Sequence, residues 1–212
     1  MVSRSSRAKR RRKMSTWGIL GCGTIANEMA ETFIKMGHEI YGVSNRTLKK
    51  AEKFAETYGV KHVFKTYEEM LADEKIDIIY IATPHSRHYE NMMQAVKAGK
   101  HVLCEKAITV NAAQLEEVLK LAEKKHVVVR EAMTISHMPL YKKLKERIKE
   151  GAIGKTKMVQ VNFGSNKGYD STNRFFALEA AGGALLDIGV YATSFARTFL
   201  SEIPNTILTT VE

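Results

Sequence analysis

The chain has 212 residues, 44% of them apolar and 26% charged, the composition of one or two ordinary globular units with a real core. No apolar run approaches the roughly 20 residues that a membrane helix needs. The net charge of +10 suggests nucleic acid, but "MVSRSSRAKRRRK" holds seven Lys/Arg and no acid, which leaves 26 basic against 23 acidic residues beyond it. Residues 1–13 have no apolar core of a secretory signal and no periodicity. They are read as a basic disordered leader, with Met14 as the expected start and a polybasic contact arm as the weaker alternative. The two cysteines, Cys22 and Cys104, show no metal-ligand spacing and fit a reducing, cytoplasmic setting. From Thr16 to about Arg130, short apolar runs alternate with amphipathic segments. "WGILG" precedes "TIANEMAETFIKMG", "EIYGVSN" precedes "TLKKAEKFAETYG", "DIIYIATP" precedes "SRHYENMMQAVKAG", "HVLCEK" precedes "NAAQLEEVLKLAEKK", and "VVVRE" closes the series. Met92, Met93 and Val96 sit at helical spacing, Gly37, Gly59 and Gly99 punctuate helix ends, and Asn111 is placed to cap a helix start. Each parallel strand pair needs a crossover helix, so this alternation predicts an α/β fold with a doubly wound parallel sheet over residues 14–131.

The texture changes after Glu131. "PLYKKLKERIKEGAIGK" predicts a helix ending at Gly151, "TKMVQVNFGS" a strand, "GGALLDIGVYATSFARTFL" an apolar helix, and "TILTTVE" the start of another strand. Residues 132–212 are therefore expected to form a thin second domain of two strands and two helices. Two strands seldom stand alone, so this part is expected to be a fragment or to need a partner.

"GILGCGTIA" places Gly21, Cys22, Gly23, Thr24, Ile25 and Ala26 between the first strand and its helix, the context that the G-x-G-x-x-G/A dinucleotide fingerprint requires. Gly21 allows the tight turn, Gly23 lets a pyrophosphate approach the backbone, and Ala26 lets helix and strand pack closely. The helix N-terminus then offers free N–H groups to phosphate. The end of the second strand commonly carries an Asp or Glu in NAD sites, but here it reads Ser44, Asn45, Arg46. Arg46 could grip a 2′-phosphate as a planar fork, with Lys50 adding charge, so NADP is expected ahead of NAD. A solvated Arg46 and a site that tolerates both dinucleotides is the alternative.

"GCGTIA", "ATPHSRHYE", "CEKAIT" and "GGALLDIGVY", with "EAMTISHMP" and "GAIGK" between them, resemble the Gfo/Idh/MocA oxidoreductases. The resemblance implies a Rossmann domain followed, over residues 132–212, by part of an α+β open-sheet substrate domain whose sheet often mediates homo-oligomers. It also implies hydride transfer between NAD(P) and a hydroxyl or carbonyl of a sugar, polyol or diol, with no membrane or nucleic-acid partner. The Asp187 and Tyr191 pair resembles the branch of glucose-fructose oxidoreductase and dihydrodiol dehydrogenases. Ala107 stands where the family usually has proline, so the turn there is expected to differ. The chain also ends where more of the substrate domain's sheet is expected.

Within this resemblance Lys106 is the expected acid/base, with desolvation and a nearby oxidised nicotinamide lowering an amine that is ordinarily a poor base at neutral pH. Asp187 and Tyr191, four apart on one helix face, are expected around the reacting oxygen. Tyr191 would hydrogen-bond that oxygen, while Asp187 would orient substrate hydroxyls or Lys106. Thr83, Pro84 and His88 are assigned to the cofactor side, and Glu105 to backbone or cofactor contacts. His85 and His137 are read as surface or packing residues, and no metal site is expected. A dinucleotide-binding protein without turnover is the competing reading.

Overall fold

The computed structural model describes residues 14–200 and 202–210; the basic leader and the last two residues of "TILTTVE" lie outside them. Six parallel strands form one sheet: β1 (Trp17–Leu20), β2 (Ile40–Ser44), β3 (His62–Phe64), β4 (Ile78–Ile81), β5 (His101–Cys104) and β6 (Val129–Glu131). Their order is β3-β2-β1-β4-β5-β6, the doubly wound arrangement expected from the alternation. The short β3 and the six-residue helix after it are additions that the apolar runs alone do not mark.

Strand periodicity explains the two layers. Ile19, Val43 and Tyr80 face one side of the sheet, where they pack with Ala26, Ala30 and Phe33 of α1 (Thr24–Lys35) and with Ala51 and Phe54 of α2 (Leu48–Tyr58). Their neighbours Leu20, Ile79 and Ile81 face the other side. There they meet Met70 of α3 (Tyr67–Ala72), Met92 and Val96 of α4 (His85–Lys97), and Val118 of α5 (Ala112–Lys125). Burying both faces is what keeps an all-parallel sheet stable. The helix boundaries follow local chemistry: the Asn111 side chain accepts from the Gln114 N–H at the start of α5. Gly59 ends α2 in the left-handed conformation, with φ +68°.

Beyond Glu131 the chain forms α6 (Pro139–Lys149), a π-helical turn at Leu185–Gly189 and α7 (Val190–Phe199). Tyr141 of α6 packs edge-on against Phe195 and Phe199 of α7, and its hydroxyl donates to Thr198 Oγ1 at 2.6 Å. Two expectations fail here. Neither "TKMVQVNFGS" nor the described part of "TILTTVE" is a strand. Their alternation is genuine, but a strand exists only through ladder bonds to a neighbour. All six strands lie in the one sheet, between Trp17 and Glu131. The Lys106–Ala107 peptide bond, where the turn is expected to differ, is cis.

Candidate active site

The sheet order reverses between β1 and β4, which makes their carboxyl ends the topological switch point where ligands of such sheets bind. The glycine loop leaves β1 there. Gly21 has φ +99°, and a Cβ on it would lie 2.7 Å from the Ala82 carbonyl oxygen, so this position admits only glycine. Gly23 is different: a Cβ there would meet nothing within 4 Å, and its φ is −79°. The protein's own packing does not require Gly23, whereas a group lying against the loop would. Thr24 and Ile25 are exposed on the same rim, and Ala26 is fully buried under it. No side chain caps the start of α1, so its first N–H groups remain available to an anion. These features fit a bound pyrophosphate.

At the end of β2 the three candidate residues separate. Asn45 accepts the Cys22 N–H on its Oδ1 at 3.2 Å and donates to the Thr47 carbonyl at 3.0 Å, so it ties the glycine loop to β2. Arg46 is exposed and forms no ion pair among the described residues. Ser44 turns inward instead of facing the crevice. It is fully buried and its hydroxyl donates to the Phe64 carbonyl at 3.1 Å, because strand alternation decides its face. Cys22, half-buried beside the loop, has its thiol pushed up to about 12 by burial, with Lys50 opposing.

At the carboxyl end of β5 the structure gathers the residues of main chemical interest. Lys106 Nζ lies 3.0 Å from Asp187 Oδ1, with the two side chains 16% and 18% exposed, and it also donates to the Asp187 carbonyl. The same ammonium stands 5.1 Å from the centre of the Tyr191 ring, within cation–π range. Asp187 lies in the π-helical turn and Tyr191 in the first turn of α7, so one helical face delivers both to the lysine. Glu105 points away from them. It is buried, accepts from the Tyr80 hydroxyl at 2.5 Å and receives the Lys106 backbone N–H at 3.3 Å. Burial pushes its carboxyl above the usual carboxylate range, against the lowering effect of those two donors. Of the two roles expected for Glu105, the geometry matches the backbone contact.

The histidines of α4 sit deeper than expected. His88 is fully buried, with Nδ1 2.8 Å from the Ala107 carbonyl and Nε2 2.8 Å from the Thr83 carbonyl. It supports the strand ends from beneath instead of opening onto the crevice. Thr83 accepts from Asn91 on its hydroxyl at 2.9 Å, while Pro84 is exposed. His85, expected at the surface or in packing, is buried at the site, 3.0 Å from the Lys106 carbonyl. Its spacing from His88 places both on one turn of α4, but only the fold brings that turn under Lys106. A cavity of about 430 Å³ adjoins Tyr191, bounded by Ile135, Val161, Asn162, Phe163 and Phe195. Ile135 and Tyr191 belong to the motifs "EAMTISHMP" and "GGALLDIGVY", whereas Val161, Asn162 and Phe163 belong to none. Among the described residues, no helix is long and apolar enough to cross a membrane.

A doubly wound sheet with a Gly-x-Gly loop at its switch point defines the Rossmann class. Residues 15–133 match the family described as "Oxidoreductase family, NAD-binding Rossmann fold", and residues 141–211 match the GFO/IDH/MocA C-terminal domain. The chain belongs to the GFO/IDH/MocA oxidoreductase family. It is 32% identical over 195 residues to trans-1,2-dihydrobenzene-1,2-diol dehydrogenase of Xenopus tropicalis, covering 90% of this chain and 58% of that protein. It is 38% identical over 206 residues to D-xylose 1-dehydrogenase (NADP(+)) of Hypocrea jecorina, covering 82% and 50%. Among solved structures it resembles KijD10, a 3-ketoreductase from Actinomadura kijaniata in complex with NADP and TDP-benzene. That match has a TM-score of 0.75 and 26% identity, and it covers 88% of this chain and 57% of that one. The chain thus spans 50–58% of the length of these relatives.

Proposed function

We propose that the protein is an NADP-dependent oxidoreductase that moves hydride between the dinucleotide and a hydroxyl or carbonyl carbon of a sugar, polyol or diol. The observation that carries the reading is the meeting of Lys106, Asp187 and Tyr191 at the sheet edge that also bears the glycine loop. When bound, NADP(H) supplies or accepts the hydride. The chain's own residues handle the proton. Lys106 gives a proton to the carbonyl oxygen in reduction and takes one from the hydroxyl in oxidation. Asp187 orients the Lys106 amine through the 3.0 Å contact. The Tyr191 hydroxyl hydrogen-bonds the reacting oxygen, and the cavity beside its ring receives the rest of the substrate. Gly21, Gly23, Thr24, Ile25 and Ala26 hold the pyrophosphate, with Thr83 and Pro84 on the cofactor side. Ser44, Glu105 and His88 act behind the crevice wall.

NADP is favoured over NAD by the exposed Arg46, with Lys50 one helical turn on, and by the lack of a carboxylate at positions 44–46. Relatives named for NADP-dependent xylose oxidation and an NADP-bound ketoreductase support the same choice. The exposed apolar residues Phe163, Leu178 and Leu185 support self-association through residues 132–212, and the placement of the chain in a reducing compartment rests on its cysteine usage. A binding protein without turnover is the second reading, favoured by the lack of any strand among residues 132–200 and 202–210.

The test is titration with NADPH and NADH by nicotinamide fluorescence, followed by a screen of aldoses, polyols and trans-dihydrodiols with NADP+. Lys106→Ala is expected to lower turnover about 10²–10⁴-fold, the usual worth of a positioned acid/base, with NADPH affinity retained. Parental turnover in that variant sinks the Lys106 role. Arg46→Ala should bring the NADPH and NADH affinities together, and equal affinities in the parent would refute the NADP preference.

A further inference from the structure

The turn that carries Lys106 is held mainly by side chains. Its Glu105 N–H goes to the Ile81 carbonyl in the sheet. The Lys106 N–H goes to Glu105 and the Ile108 N–H to Glu131, at 3.3 and 3.0 Å. On the carbonyl side, Lys106 O meets His85 Nε2 at 3.0 Å and Ala107 O meets His88 Nδ1 at 2.8 Å. Two carboxylates therefore take the N–H groups of the turn, and two imidazoles take its carbonyls. A buried backbone group left without a partner is destabilising, so these four side chains decide where the turn lies.

The other nitrogen of each ring lies near a carbonyl of a second segment, although a neutral imidazole has one N–H and donates to only one carbonyl at a time. His88 Nε2 is 2.8 Å from the Thr83 carbonyl at the end of β4, and His85 Nδ1 is 3.4 Å from the Ala181 carbonyl. Ala181 stands six residues before Asp187. One ring thus touches both the turn that bears Lys106 and the segment that leads into its ion-pair partner. The two rings lie edge to face, 5.6 Å apart.

We propose that His85 and His88 are positioning residues that clamp the Lys106–Ala107 turn by its carbonyl groups, and that His85 also sets the distance between Lys106 and Asp187. The effect on turnover rests on the reading of Lys106 as the proton-transfer residue; the clamp itself does not. The contacts of both rings are to backbone carbonyls, so they act through the backbone and not on the Lys106 amine.

The test follows one lysine at a time. The full chain is exposed at neutral pH to a trace of acetic anhydride, and the label at each lysine is measured by peptide mass mapping. Parent, His85→Ala, His85→Gln, His88→Gln and Asp187→Asn are compared. The internal control is Lys100, a buried lysine whose Nζ donates to the Asp73 and Ile76 carbonyls far from the turn. In His85→Ala the labelling of Lys106 should rise several-fold toward the Asp187→Asn level, with Lys100 unchanged. His85→Gln, which keeps an amide donor, should recover much of the parental protection. Unchanged Lys106 labelling in His85→Ala overturns the proposal. So does a parallel rise at Lys100, which would mean general loosening. His88→Gln should raise Lys106 labelling more than His85→Gln, because the fully buried ring has no solvent to take its place at the Ala107 carbonyl; the reverse order overturns the role of His88. Parental turnover in Lys106→Ala would sink the catalytic reading and leave these labelling results standing, so the two failures are told apart.

Discussion

Residues 17–131 and residues 132–200 both contain amphipathic helices, but they differ in what their apolar faces meet. In the first region Ile19, Leu20, Ile79, Tyr80, Ile81, Met92 and Val118 are all fully buried. In the second only Tyr141 is buried among the large hydrophobic residues, while Phe163, Tyr169, Leu178 and Leu185 are 56–85% exposed. The first region closes its sheet with its own crossover helices, each following its strand in sequence. Alternating segments in the second region have no neighbouring strand to pair with, so their pattern yields neither a sheet nor a core. Apolar patterning specifies which face seeks cover, while the cover itself has to be supplied by another segment.

Truncating an apolar side chain should have unequal effects in the two regions. Ile79→Ala should cost about 2–5 kcal/mol, as buried aliphatic truncations do, whereas Leu178→Ala should stay within about 0.5 kcal/mol. Urea denaturation followed by circular dichroism measures both, and similar values would mean that Leu178 is covered in solution. A smaller contrast lies within the glycine loop. Gly21→Ala should cost roughly 1–3 kcal/mol of backbone strain, since its φ is +99° and its Cβ would meet the Ala82 carbonyl. Gly23→Ala should leave stability within about 0.5 kcal/mol and weaken NADPH binding. A stability loss at Gly23 would show that the fold, not a ligand, requires this glycine.

A still smaller effect is the acid response of the first region. Burial is the largest influence on His85 and His88 and pulls both below the usual imidazole range, against the carbonyl contacts that favour the charged ring. The unfolded chain then binds more protons than the folded one as pH falls below about 6.5. Their contribution is therefore present above that pH and lost as pH drops through the folded values. The urea midpoint should fall from pH 7 to pH 5, less so in His88→Gln. An equal fall in parent and variant would remove His88 from this account.

Much of the fold was legible from alternation and turn residues, because parallel βαβ units bury their strands with helices adjacent in sequence. Lys106, Asp187 and Tyr191 were legible only through the order of the family's motifs, since 81 residues separate the lysine from the aspartate. The roles of Ser44, Glu105, His85 and His88 were harder to read. Each belongs to a residue type usually placed at the surface, and each becomes buried because a strand end or the first turn of α4 aims it inward. The expected strands at "TKMVQVNFGS" and "TILTTVE" failed for the complementary reason: pairing is a property of two segments.

By itself the sequence determined the Rossmann topology, the glycine loop and the helix ends, all of which follow from local periodicity and backbone chemistry. Tertiary structure alone decided that two histidines lie under Lys106, that Glu105 turns to Tyr80, and that Asp187 meets the lysine amine. Those contacts join segments far apart in the chain, and no local preference encodes which buried carbonyl a given ring will find.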